Sequence, residues 1–279
     1  MKDDELELRV EARVVGFETP PPQREISGEL RSERFETDGK EYVLVEDAVV
    51  EDVDFSGNRF WRLWSDGSSF TRCDFRDVAF ESLSFANTRG VTYRECAFDR
   101  ADLRSVGVEV GRARFEQCTF DDALIEGWFS FSGEFVECRF AGKIVDCTFH
   151  GRPLDEDRPL LDRLLGRRRS NEFRGNDFRH AQLISTVFTR GIDLRSQLWP
   201  ESDEYVRLDR PQERLVGARA IVSTWPDSKR RRDALVLLDE VYADAWEGQD
   251  EVIVRRHEPD DPFPEDLIDE LWILLEQAT

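Results

Sequence analysis

The sequence predicts a mainly β protein: a four-sided coil of short stacked β segments, with a β-rich segment before it and a helical segment after it. Two patterns lead there. Large apolar residues recur every five positions: Phe55 and Phe60; Phe70, Phe75, Phe80 and Phe85; Tyr93, Phe98 and Leu103; Phe115, Phe120 and Ile125; Phe135 and Phe140; Phe173, Phe178, Leu183 and Phe188. In addition, all five cysteines open a Cys-x-Phe triplet, at Cys73, Cys96, Cys118, Cys138 and Cys147, the last of which ends at Phe149.

In the first fifty residues, Leu6, Leu8, Val10, Ala12 and Val14 alternate as in a strand, and Thr19-Pro20-Pro21-Pro22 breaks the pattern. A hairpin is expected next, turning at Asp38-Gly39 between Phe35 and Tyr42-Val43-Leu44-Val45. This segment, residues 1–50, is read as a cap over the open first coil, because a solenoid end exposes unpaired backbone and core.

The coil itself is placed at residues 51–200. A period of five fits neither the 3.6 of an amphipathic helix nor the 2 of a strand. A small or compact residue stands two positions before most of the large ones, as at Val53, Cys73, Val78, Ala101, Cys118 and Ala181. Two positions apart on an extended chain, both point to the same side. The next small residue lies three further on and breaks that parity, so the chain keeps its apolar side inward only by turning a corner in every repeat. Four corners close a square of about twenty residues, and successive coils stack at the spacing of neighbouring strands. Cys73, Cys96, Cys118 and Cys138 then form one internal ladder, with Cys147 about two faces further round. Their spacing offers no paired metal ligands, and a disulfide framework belongs to small secreted chains, so they are read as core thiols.

Val53-Asp54-Phe55-Ser56-Gly57, Cys73-Asp74-Phe75-Arg76-Asp77 and Ala101-Asp102-Leu103-Arg104-Ser105, with Asn176-Asp177-Phe178-Arg179-His180 as a near match, resemble the motif of the pentapeptide repeat family. The resemblance covers a little over half the chain and implies a right-handed quadrilateral β-helix. Some members of that family imitate duplex DNA and bind type II topoisomerase (gyrase), conferring resistance to drugs or toxins aimed at it; they are typically dimers joined through C-terminal helices. The resemblance therefore implies a protein partner, with gyrase as one candidate. A rigid scaffold for an unknown partner is the alternative.

The period slips after Phe85, Val108 and Phe140 and stops between Phe149 and Phe173. At about 151–171 the acids Asp155-Glu156-Asp157, the leucines Leu160, Leu161, Leu164 and Leu165, and the bases Arg167, Arg168 and Arg169 read as a short helix matched to its dipole. Insertions in a regular scaffold often carry function, so Arg163, Arg167, Arg168 and Arg169 are the candidate contact residues. From residue 201 to 279, helical spacing takes over, in Leu235, Leu238, Val241, Tyr242 and Ala245 and in Leu267, Ile268, Leu271, Leu274 and Leu275 behind Pro264. These stripes are expected either to close the last coil, leaving a monomer, or to join a homodimer.

The formal net charge is -21, which argues against gripping nucleic-acid phosphates or an anionic membrane directly. The excess lies in the flanks: residues 1–50 hold 14 acids and 7 bases, residues 51–200 hold 25 and 22, and residues 201–279 hold 21 and 10. A rod of about 30 Å would have to imitate a duplex carrying on the order of 18 charges, far more than the coil's own net of -3. His150, His180 and His257 are far apart, and the chain lacks phosphate-loop, nucleotide-binding, zinc-protease and serine-hydrolase signatures. No enzyme activity and no cofactor are expected. The first residues lack a secretory pattern, so a cytoplasmic protein is expected.

Overall fold

The computed structural model describes residues 21–37, 39–86, 89–104, 108–153, 170–259 and 261–278. Short strands pair in parallel, each with the strand one coil earlier and one coil later, as a right-handed β-helix requires. One side can be followed end to end through Arg34, Asp54, Asp74, Ala97, Thr119, Arg139, Asp177 and Leu198, each bridged to the next.

The corners have a common backbone device. Asp52, Arg72, Glu95, Gln117, Glu137 and Gly175 all adopt positive φ, between 53° and 67°, and each stands directly before a small inward residue. This left-handed conformation is uncommon for side chains bearing a Cβ. Here it is held by the neighbouring coil: Asp52 N–H donates to Thr71 O (3.0 Å), Arg72 to Arg94 (2.9 Å), Glu95 to Glu116 (2.8 Å) and Gln117 to Val136 (2.9 Å). At these corners the parity break in the sequence is thus resolved by one left-handed residue.

The interior is a stack of rings. Phe55, Phe75, Phe98, Phe120, Phe140 and Phe178 lie nearly parallel to their neighbours at centroid separations of 4.8, 4.9, 5.1, 4.8 and 4.7 Å, and Trp199 closes the ladder 5.1 Å from Phe178. A second ladder runs through Phe70, Tyr93, Phe115 and Phe135 at 4.8 to 5.1 Å. Offset-stacked rings at this distance add to the burial of their apolar area.

The expected hairpin does not form. Strand Arg24–Arg31 pairs with strand Glu41–Glu51 in parallel, Arg24 beside Val43 and Leu30 beside Val50. The coil geometry therefore reaches back to Arg24, and Phe35 stacks 5.1 Å from Phe55. The physical reason is register: Phe35, Val45 and Val50 continue the five-residue pattern of Phe55 and are buried, and only Lys40 interrupts it. Ring stacking across coils outweighs the local turn signal. The expected strand at Leu6–Val14 and residue Asp38 lie outside the described residues.

At the other end, strands Tyr205–Asp209 and Glu251–Arg255 pair antiparallel, and helices Pro211–Ser223, Lys229–Val236 and Glu265–Gln277 pack on them. The apolar face of the last helix, Leu267, Ile268, Leu271, Trp272 and Leu275, is buried in this second core. Arg214, with a nearly buried side chain, donates to the carbonyls of Leu275 (2.9 Å), Glu276 (2.9 Å) and Ala278 (3.0 Å), satisfying carbonyls that a helix end leaves unpaired. Ile253 enters the core of the coil, and Gln249 Oε1 accepts from the backbone N–H of Gly191 (2.6 Å) and Ile192 (2.8 Å). The helical segment thereby covers the last coil.

Candidate functional site

The sequence places its chemistry on the outside of the coil, and that surface follows from the repeat. In Asp54, Asp74, Asp102 and Asp177 the carboxylate accepts from the backbone N–H two residues on, at 2.9, 2.9, 3.3 and 3.0 Å. These are Asx turns, and they explain why the motif has an acid before each large residue. The same carboxylates also take arginines: Arg34 on Asp54 (2.5 Å), Arg104 on Asp102 (2.8 Å), Arg179 on Asp177 (2.7 Å), and Arg76 on Asp74.

Along a neighbouring face the pairing runs from coil to coil. Arg72 bridges Glu51 (2.6 Å) and Asp52 (2.7 Å), Arg94 meets Glu116 (2.7 Å), and Arg100 meets Asp77 (2.7 Å). Arg114 gathers three carboxylates from three levels, Glu116 (2.5 Å), Glu134 (2.9 Å) and Glu172 (2.7 Å). Arg174 then joins Glu172 (2.7 Å) to Glu137 (3.1 Å). The hydrogen bonds from Arg72, Arg100, Arg104 and Arg179 hold Asp52, Asp77, Asp102 and Asp177 below the usual carboxylate range. At Glu116 burial alone would raise the carboxyl, but the bonds from Arg114 and Arg94 outweigh it. The outside of the coil is therefore a lattice of arginine–carboxylate pairs. Exposed pairs of this kind stabilise little individually, yet they cancel charge where an acidic rod would display it.

Of the candidate residues, Arg163, Arg167, Arg168 and Arg169 lie outside the described residues. The points where their segment leaves and rejoins the coil are described and adjacent: Asn171 N–H donates to Gly151 O at 2.8 Å. Gly151 itself lies against Gly191, where a Cβ would come within 2.6 Å of backbone carbon. The other candidates, Phe55, Phe60, Phe70, Cys73, Phe75, Phe80, Phe85, Cys96, Phe98, Leu103, Phe115, Cys118, Phe120, Cys138, Phe140, Cys147, Phe149, Phe173, Phe178, Leu183 and Phe188, are all buried. Cys73, Cys96, Cys118 and Cys138 share one face, each thiol facing the carbonyl of the coil below, those of Val50, Phe70, Tyr93 and Phe115, at 3.4 to 3.6 Å. Asn176 continues the ladder with a stronger donor: its Nδ2 reaches Phe135 O at 2.9 Å and its Oδ1 accepts from Cys138 N–H at 3.0 Å.

The sequence reading missed the Arg114 cluster, although the signal was present: Arg114, Glu134 and Glu172 occupy the outward position one before Phe115, Phe135 and Phe173. Among the described residues, no group of three or more His, Cys, Asp or Glu is placed to hold a metal ion. No helix among them is long and apolar enough to cross a membrane.

A four-sided coil with left-handed residues before Val53, Cys73, Cys96, Cys118 and Cys138, Asx turns at Asp54, Asp74, Asp102 and Asp177 and a ring ladder at its centre defines the class of fold: a right-handed quadrilateral β-helix of pentapeptide repeats. No family model and no curated protein matches the chain. Among solved structures the chain is similar to full-length QnrB1, a plasmid-mediated fluoroquinolone resistance protein, at 18% identity, covering 63% of this chain and 91% of that one with a TM-score of 0.26. It is also similar to HetL, a pentapeptide repeat protein involved in heterocyst differentiation regulation from the cyanobacterium Nostoc, at 10% identity, covering 64% and 88% with a TM-score of 0.20.

Proposed function

We propose that the protein is a non-enzymatic, cytoplasmic interaction protein that works as a rigid rod, and that type II topoisomerase (gyrase) is the first partner to test. The observation that carries the interaction reading is the filled interior: two ladders of stacked rings occupy the coil, and its polar groups form an ordered exterior lattice. A surface that regular suits recognition by a partner's surface. The gyrase reading is supported by the resemblance of the repeat motif to that of the pentapeptide repeat family.

One observation favours the second reading, a scaffold whose partner does not mistake it for DNA. Arg114, Arg174, Arg72 and their counterparts pair with many of the coil's carboxylates, so much of the anionic charge among the described residues is balanced on the rod itself. Homodimerisation through the C-terminal helices receives less support, because the apolar face of Glu265–Gln277 is buried within its own chain.

A supercoiling assay with purified gyrase, with and without the protein and with and without a gyrase-targeting drug, separates the readings. Inhibition, or protection from the drug, supports gyrase as partner. Neither effect at excess protein sinks that reading and leaves the scaffold.

A further inference from the structure

Where the last coil meets the helical segment, the chain forms a half-open cavity of about 370 Å³. Its walls come from three directions: Phe188 of the coil, Val241, Tyr242 and Trp246 of the helical segment, and Val252 and Phe263 of the stretch between the helices. Such a volume, mostly apolar with a few polar groups at one side, is typical of small-molecule sites. The wall at Leu237–Tyr242 is a π-helical turn, a rare distortion that tends to occur at functional sites.

The polar side has a definite charge balance. Two arginines border the cavity, but Arg255 is engaged by Glu204 (3.3 Å) and Arg256 by Glu276 (2.6 Å). Glu258, half-buried, accepts from Ser185 N–H (2.8 Å), and Asp261 accepts from Phe263 N–H (3.0 Å). Their hydrogen bonds come from backbone donors; Arg255 also acts on Glu258 through its charge, but its guanidinium is bonded to Glu204, and that of Arg256 to Glu276. The aromatic wall complements this: Tyr242 and Trp246 stack at 5.0 Å, and ring faces attract cations.

We propose that this cavity binds a small organic cation with a bulky apolar body, the body against Tyr242, Trp246 and Phe188 and the charge toward Glu258. An anion of the same shape would meet Glu258 and Asp261. A neutral guest would bury the Glu258 carboxylate further without supplying a partner, which is costly for a charge. The position of Glu258 fits this, since removal from water already raises its carboxyl above the ordinary range. This proposal is independent of gyrase, because none of the described residues that line the cavity belongs to the arginine lattice.

Calorimetric titration of the full chain with tetraphenylphosphonium and with tetraphenylborate, ions of one shape and opposite charge, tests it. The phosphonium is expected to bind, with the borate at least about tenfold weaker. Glu258→Gln, which keeps an acceptor for Ser185, is expected to weaken the phosphonium about tenfold and to narrow the difference between the ions, with an unchanged circular dichroism spectrum. Val241→Trp, at the partly exposed rim, is expected to block both. Equal binding of the two ions, no binding of either, or an unchanged phosphonium affinity in folded Glu258→Gln would overturn the proposal.

Discussion

Phe98 shows how much a single side chain carries in this coil. It is stacked between Phe75 at 4.9 Å and Phe120 at 5.1 Å, and no part of the structure can shift in without disturbing both coils. Phe98→Ala is expected to destabilise by about 3–5 kcal/mol, measured by chemical denaturation, the cost of a cavity in a core that relaxes poorly; a loss below about 1 kcal/mol would mean the stack is not tightly packed. His150 makes a different statement. Burial holds it to a pKa of about 4 from an ordinary 6.5, and its Nδ1 has no hydrogen-bond partner among the described residues. The folded state thus prefers neutral histidine, so its contribution is fully present above pH 6.5 and is lost as the pH falls from there to about 4. His150→Leu is expected to flatten the melting temperature over that window relative to wild type. Glu258 acts with the opposite sign, since its raised carboxyl contributes below the unfolded value and loses that contribution as the pH rises through the folded one. The informative quantity is therefore the difference between wild type and variant, and a constant difference from pH 7 to 4 would refute the assignment.

At the scale of elements, the corners and the insertion are the parts that matter. Because Gly151 O and Asn171 N–H are hydrogen-bonded, the chain between them leaves and re-enters the coil at one point. Replacing residues 154–169 by a short flexible link is therefore expected to leave the melting temperature within a few degrees of wild type. A collapse of cooperative unfolding would show that the insertion completes the core. The corners were legible in the sequence because the small-to-large spacing of two and the large-to-small spacing of three cannot both keep one side inward. The Cys ladder was legible for the same reason. The parallel pairing of Arg24–Arg31 was not, because Lys40 interrupts the five-residue run of Leu30, Phe35, Val45 and Val50 beside a local turn signal at Gly39, whereas the Phe35–Phe55 stack spans a whole coil. The Arg114 cluster left a partial signal: Arg114, Glu134 and Glu172 each stand one before a buried Phe, but the insertion separates Glu172 from Glu134, so the column emerges only once the coils are stacked.

For the whole molecule, acid is the lever that the surface chemistry offers. Asp52, Asp77, Asp102, Asp177 and Glu172 are all held below their ordinary values, with hydrogen bonds from arginine the largest cause. Each contributes above its unfolded value and loses that contribution as the pH falls through the folded one. In the His150→Leu background the melting temperature is expected to hold from neutrality to about pH 4 and fall below it, with the fall shallower in high salt, which screens exposed pairs. A fall that begins near neutrality, or one indifferent to salt, would show that the lattice is not what titrates.

The ring ladder has a consequence for how such a protein can change. Between Phe75 and Phe98 the chain uses 23 residues to climb 4.9 Å, and between Phe140 and Phe178 it uses 38 to climb 4.7 Å. Added sequence widens the perimeter and leaves the axial pitch untouched. Length along the axis is therefore set only by adding or removing a complete turn, while the circumference is free to acquire loops of any size. Reach and decoration are independent variables in this architecture, so a new binding loop can be gained without shifting any existing contact elsewhere along the rod.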